Sequence, residues 1–204
     1  MGRPLLVATT NAGKMREVAA FLESIPGLKL LSLTDLPPIP AVPEDEPTFR
    51  GNAVAKAIEY SRAAASLTLA DDSGLCVDAL DGSPGVTSAR FGGPDLDDAG
   101  RCRHLLARLA RIPEKDRGAH FECALALADA GRLVAVFDGR VDGRILTTPR
   151  GTNGFGYDPV FFYPPGGRSF AEMSGEEKSA VSHRGQALSK LRDYLAAHAE
   201  IWNV

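Results

Sequence analysis

Cysteine is scarce in this chain: Cys76, Cys102 and Cys123 are the three thiols in 204 residues. The number is odd and no two form a CxxC pair. Neither a disulfide framework nor a cysteine-built zinc site is therefore expected, and reduced, buried thiols are the default. A basic excess is missing too. The formal net charge of −3 argues against nonspecific binding to long nucleic acid, which needs a basic surface. It leaves room for a small anionic ligand, because a binding site can be basic while the whole is acidic. No apolar run approaches the length that spans a bilayer, and the first residues lack a signal-peptide pattern, so a cytoplasmic protein without membrane association is expected. No G-x-S-x-G elbow is present to make Ser73 a nucleophile with His183 as its base. Repeats, low-complexity tracts and an interdomain linker are absent as well, so residues 1–204 are expected to form one domain.

What is present is an alternation of short apolar runs and amphipathic segments, in a chain with 44% hydrophobic and 24% charged residues. Leu5 to Ala8 reads as a buried strand breaking at Thr9-Thr10-Asn11 into a helix, with Met15, Val18, Ala19 and Leu22 on one face. A second strand, Leu28 to Leu33, leads into a proline-rich stretch, Pro37 to Pro47, that contains Glu44-Asp45-Glu46. Thr48 is placed to cap a helix whose seam is Phe49, Ala53, Ala57, Tyr60 and Ala64. Leu67 to Ala70 reads as a third strand delivering Asp71 and Asp72 at its C-terminal end, where open α/β sheets place ligand chemistry. Turns from Gly74 to Pro94 form a long connection, followed by a helix from Asp95 to Arg111 capped by Asp95. Phe121 to Leu127 and Leu133 to Phe137 flank Asp129-Ala130-Gly131-Arg132 as an antiparallel hairpin. A last helix carries Ala187, Leu188, Leu191, Tyr194 and Leu195 on one stripe. The expected fold class is α/β: a mixed, elongated sheet with flanking helices, forming two lobes around a central cleft.

The densest chemistry lies between Gly151 and Gln186, in GTNGFGYDP and EEKSAVSHRGQ. Gly151, Gly154 and Gly156 free the backbone to approach a ligand closely. Phe155 and Tyr157 offer flat faces on which a base can stack. Lys178, His183 and Arg184 supply donors for an anionic or carbonyl-bearing ligand. TTNAGK, Thr9 to Lys14, joins a strand to a helix N-terminus whose free amides attract phosphate, with the Lys14 charge beside them. It is not a Walker A loop, since Ala8 and Met15 stand where glycine and Ser or Thr should be. Taken alone, it reads better as an ordinary Asn cap. Asp71 and Asp72, adjacent on a strand, face opposite sides and so hold different jobs.

TTNAGK, ADDSGL, GTNGFGYDP and KSAVSHRG, in that order from Thr9 to Arg184, resemble the noncanonical purine nucleoside triphosphate pyrophosphatases, the inosine and xanthosine triphosphate pyrophosphatases. The resemblance implies Mg2+-dependent hydrolysis of ITP, dITP and XTP to the monophosphate and pyrophosphate, by a homodimer that cleanses the nucleotide pool. It assigns the triphosphate to Thr9, Thr10, Asn11, Ala12, Gly13 and Lys14, with Lys56 able to join them. Asp72 becomes the catalytic carboxylate, as metal ligand or base, and Glu44 the best match for a second metal ligand. For Glu44 a solvated acidic loop remains an equal reading. Ser73 is given a hydrogen-bonding role. Phe155, Gly156, Tyr157 and Asp158 become the base site, and Lys178, His183 and Arg184 reach the base and its 6-keto oxygen. Donors aimed at that position welcome hypoxanthine or xanthine and oppose the amino group of adenine. Two other readings stand beside this one: a pyrophosphatase of the same fold type acting on pyrimidine or modified nucleotides, and a nonhydrolytic nucleotide sensor. The apolar Val160-Phe161-Phe162-Tyr163 serves either a partner or the core.

Overall fold

A computed structural model of the chain describes residues 2–202. Its strands are β1 (Leu5–Val7), β2 (Leu30–Ser32), β3 (Leu67–Val77), β4 (Gly118–Asp129), β5 (Arg132–Ile145), β6 (Phe161–Tyr163) and β7 (Arg168–Ser169). They form one sheet in the order β2-β1-β3-β4-β5-β6-β7. β1 runs parallel to β2 and β3, whereas β6 is antiparallel to β5 and β7. The α-helices among the described residues are α1 (Ala12–Leu22), α2 (Phe49–Ala64), α3 (Asp98–Arg108), α4 (Gly175–Val181) and α5 (His183–Ala197). The fold is thus mixed α/β, a seven-stranded sheet with helices, as the alternating pattern implies.

Local chemistry explains where the elements start. The Asn11 side chain accepts from the amides of Gly13 and Lys14 and fixes the first turn of α1. Thr48 accepts from Gly51 and starts α2, whose Phe49, Ala53, Ala57 and Tyr60 are buried, as the seam requires. The hairpin between β4 and β5 turns through Ala130 (φ 46) and Gly131 (φ 84), two positive values that suit a tight two-residue connection.

Contacts divide the chain into two compact units, the first made of residues 2–72, 123–139 and 184–202, the second of 73–122 and 140–183. The first unit packs Leu5, Val7, Leu67, Leu69, Leu125 and Leu127 of the sheet against Val18 and Leu22 of α1 and Leu188, Leu191 and Leu195 of α5. The second has its own core, in which Leu105 of α3 and Leu109 just beyond it join Leu75, Val77, Phe121, Ile145, Phe161 and Phe170. Phe161 sits between Phe121 and Phe170, with ring centroids 4.7 and 4.9 Å away. Each such side chain contributes about 1.5–3 kcal/mol by leaving water.

Three expectations are corrected. β3 does not stop at Ala70; it continues through Asp71 and Asp72 to Val77. Both carboxylates are buried, and the cations that pair with them let the strand pass where two unpaired charges would end it. The segment from Gly74 to Val77 is therefore strand, and 3-10 turns begin only at Asp78. α3 starts three residues later than the composition suggests, because Asp97 rather than Asp95 accepts from the amide of Gly100, at 2.7 Å. It ends at Arg108, ahead of Pro113. Val160 and Phe161 are fully buried in the second core, whereas Phe162 and Tyr163 are half-buried.

Candidate functional site

In the first unit, the chemistry gathers at the C-terminal end of β1, the start of α1 and the middle of β3. Asp71 is 4% and Asp72 5% exposed. Their partners differ, as opposite strand faces require. Asp71 takes Lys14 Nζ at 2.5 Å and Arg184 Nε at 2.7 Å. Arg184 also reaches Glu17 through Nη1 at 2.6 Å. Burial alone pushes the Asp71 carboxyl up, but the charges of Arg184 and Lys14 outweigh it and hold the group well below the usual carboxylate range. Asp72 accepts from Lys56 Nζ at 3.1 Å and from Asn52 Nδ2 at 3.0 Å. Here burial prevails over Lys56 and Lys14, and the Asp72 carboxyl is pushed up.

Glu44 comes to the same place. Its Oε1 lies 2.7 Å from Lys56 Nζ, so Glu44 and Asp72 share one ammonium. Lys56 stays charged, because the attraction of Asp72 and Glu44 outweighs the burial that opposes protonation. The acidic loop is held onto α2 at two further points: the Glu46 amide donates to Asn52 Oδ1 at 2.9 Å and the Val42 amide to the Tyr60 hydroxyl at 3.3 Å. Glu44 is half-buried and anchored, unlike a freely solvated acidic loop. No set of three or more His, Cys, Asp or Glu side chains able to hold a metal occurs among the described residues. Glu44 and Asp72, the two carboxylates expected to hold a metal, both reach Lys56 Nζ.

The turn from Thr9 to Lys14 is more self-satisfied than a bare helix end. Asn11 Oδ1 takes the amides of Gly13 and Lys14 at 2.8 and 3.0 Å, and Thr9 Oγ1 takes that of Asn11 at 3.1 Å. Thr10, Asn11 and Ala12 are exposed, at the positive end of the α1 dipole.

In the second unit, the segment from Gly151 to Asp158 is pinned from several sides. Gly154 and Gly156 take φ of 75 and 61, which glycine alone adopts without strain. Asp158 Oδ2 accepts from the Phe155 amide at 2.9 Å and from Lys178 Nζ at 2.6 Å. Lys178 lies 4.6 Å from the centroid of the Phe155 ring. Tyr157 departs from its expected role: it is 4% exposed and its hydroxyl donates to the Ser88 carbonyl at 2.8 Å. Phe155 is half-buried. The His183 ring stacks on Phe121, 4.7 Å between centroids and 8° from parallel. Ser73 is half-buried on β3.

The His183 ring thus packs on Phe121, while the Arg184 guanidinium is bound to Asp71 and Glu17. Glu17, Asn52 and Asp98, which accepts from the Gly156 amide at 2.7 Å, were missed from sequence. Asn52 carried a signal: it stands four residues before Lys56, which puts both on one helix face. Glu17 and Asp98 carried none.

The profile of the Ham1 family matches residues 5–194. A dITP/XTP pyrophosphatase of Geobacter sulfurreducens is 49% identical over 191 residues, spanning 94% of this chain and 96% of that protein. Another from Geobacillus kaustophilus is also 49% identical, over 93% of this chain and 92% of its own length. Among solved structures, a HAM1 protein from Coxiella burnetii is 36% identical with a TM-score of 0.85, over 96% of this chain and 99% of that one. A nucleoside-triphosphatase / dITP/XTP pyrophosphatase from Mycobacterium abscessus is 47% identical with a TM-score of 0.75, over 92% and 98%.

Proposed function

This chain belongs to the Ham1 family, and from that premise we propose that it hydrolyses dITP, ITP and XTP to the monophosphate and pyrophosphate, removing them from the nucleotide pool. The reading draws its substrates from relatives named dITP/XTP pyrophosphatase. The single observation that carries its chemistry is the convergence of Glu44 and buried Asp72 on one cation, Lys56 Nζ. Two hard carboxylate donors already gathered about one positive charge fit magnesium, which needs only one or two carboxylates beside phosphate oxygens and water. Bound by Glu44 and Asp72, it would supply charge neutralisation to the triphosphate.

The rest follows from the chain's own groups. Water forms a bond to the α-phosphorus while the bridging bond to the β-phosphate breaks, and pyrophosphate leaves with that electron pair. The Asp72 carboxylate accepts the proton from the attacking water. Lys14, Lys56 and the turn Thr9, Thr10, Asn11, Ala12 and Gly13 meet the phosphates. Asn52 and Lys56 hold Asp72 in place. In the second unit Phe155 stacks on the purine, with Gly156, Asp158, Lys178, His183 and Ser73 about it, and Arg184 acts from the first unit by fixing Asp71. A homodimer is the assembly the resemblance implies; light scattering that reads a monomer removes the dimer.

The test is product analysis with Mg2+ and, separately, ITP, dITP, XTP, GTP and ATP. Monophosphate with pyrophosphate is expected from the first three, with GTP and ATP largely spared. Asp72→Asn should lower kcat by roughly 10²–10⁴-fold. Release of orthophosphate sinks the attack at the α-phosphorus, and ITP binding without turnover leaves a nucleotide sensor instead.

A further inference from the structure

We propose that Asp98, which lies outside every motif that carries the resemblance, is a positioning residue that aims the Phe155 ring at the purine and so sets how tightly the base is held. The inference rests on the reading of the second unit's cluster as the base site.

Asp98 is the first residue of α3 and its carboxylate serves two partners. Oδ2 accepts from the Gly156 amide at 2.7 Å, and Oδ1 accepts from Arg101 Nη2 at 2.6 Å. One turn further along the same helix, Cys102 Sγ donates to the Gly156 carbonyl at 3.4 Å. Residues 98 and 102 share one helix face, so that face grips residue 156 by both its amide and its carbonyl. The left-handed φ at Gly156 gives the backbone the freedom to make this close approach.

The consequence falls on the neighbouring residue. The Phe155 amide is fixed by Asp158, and the next amide, that of Gly156, by Asp98. Phe155 therefore stands between two amides each held by a carboxylate, and such charge-assisted bonds are the strong kind. Lys178 adds a third restraint from above the ring. Burial pushes the Asp98 carboxyl up, but the Arg101 bond and the Gly156 amide prevail and keep it below its ordinary value, so it is an anion at neutral pH. A ring fixed in this way is ready to stack without ordering itself first, and preorganisation of that kind appears as affinity.

A merely structural role is the competing account, since an acid in the first turn also complements the helix dipole and pairs with Arg101. Three variants separate the two. Asp98→Ala removes the acceptor, Asp98→Asn keeps one, and Arg101→Ala removes the ion pair but leaves the Gly156 contact. Each is read by inosine affinity in calorimetry, by KM and kcat for ITP, and by amide exchange of the 151–158 segment without ligand. Asp98→Ala should weaken inosine and raise KM about tenfold, the loss of one charge-assisted bond, with kcat within about twofold of the parent. The Gly156 amide should exchange about tenfold faster. Asp98→Asn should recover most of the loss, and Arg101→Ala should leave all three readouts in place. Unchanged inosine affinity in Asp98→Ala overturns the proposal, as does an Arg101→Ala variant that reproduces the whole effect. If the parent turns over no ITP while inosine affinity still follows Asp98, the proposed hydrolysis fails and this inference stands.

Discussion

At the scale of single residues, the adjacent aspartates show how one motif divides its labour. Asp71 is locked between Lys14 and Arg184, while Asp72 stands with Lys56 and Asn52. That the pair would split was legible, because neighbours on a strand face opposite ways. Who would meet Asp71 was not: Arg184 lies 113 residues away along the chain and bonds Glu17 across a separation of 167. Sequence spacing reports only partners within a few turns, so Glu17 and Asp98 leave no trace in it. A prediction follows from the depressed Asp71 carboxyl. A carboxylate with a folded pKa below its unfolded one contributes stability that is fully present above the unfolded value, about 3.9 for Asp, and is lost as pH falls through the folded one. Asp71→Asn should therefore cost about 3–5 kcal/mol at neutral pH, since it strips a buried pair of one partner. The gap to the parent should narrow as pH drops below the ordinary carboxylate range. Urea denaturation at stepped pH measures it, and a gap that stays constant into acid would mean Asp71 is not held as an anion by Lys14 and Arg184.

At the scale of elements, the sequence was read best where a local cap or a strong period decided the outcome. Asn11 and Thr48 cap α1 and α2 as expected, and Val18, Leu22, Leu188, Leu191 and Leu195 are buried on the anticipated faces. It was read less well where several residues competed or where tertiary pairing overrode composition. Asp95, Asp97 and Asp98 are each able to cap α3, and only the Asp97 contact with Gly100 chooses among them. β3 runs on through two acids because distant cations neutralise them, a condition invisible within the segment itself. The β4–β5 turn was legible from Asp129-Ala130-Gly131-Arg132, yet it carries a local conflict. Ala130 takes φ 46, a region that a β-carbon disfavours by about 1 kcal/mol or more, whereas Asn-Gly is the pair such turns prefer. Ala130→Asn should therefore raise unfolding stability by about 0.5–1 kcal/mol, with activity on ITP unchanged. A denaturation midpoint equal to or below the parent's would show that the hairpin does not bear this strain.

At the scale of the whole molecule, the motifs that carry the resemblance are spread over two units that each possess a core, and ADDSGL and KSAVSHRG each contribute residues to both. The strand-to-helix turn with Lys14, the anchored acidic loop and the aspartate pair belong to the first unit, whereas the Phe155 loop with Lys178 belongs to the second. Their chemistry differs in kind: paired cations and carboxylates in one, an aromatic face and a buried Lys178–Asp158 pair in the other. If the functional assignment is right, the two halves of the substrate should be separable as ligands. Inosine should slow amide exchange in residues 151–158 and leave 9–14 and 42–46 untouched. Pyrophosphate with Mg2+ should do the reverse. At a hundredfold excess over its dissociation constant each fragment stabilises the conformation it binds by about 2.7 kcal/mol, roughly a hundredfold slowing where opening requires release of the ligand. Intact ITP, added with calcium to slow turnover, should protect both sets of amides. Protection of the same segments by both fragments would contradict the division of base and phosphate recognition. Protection of 9–14 and 42–46 by pyrophosphate without a divalent cation would place the phosphate affinity on Lys14 and Lys56 and leave Glu44 and Asp72 without the metal role.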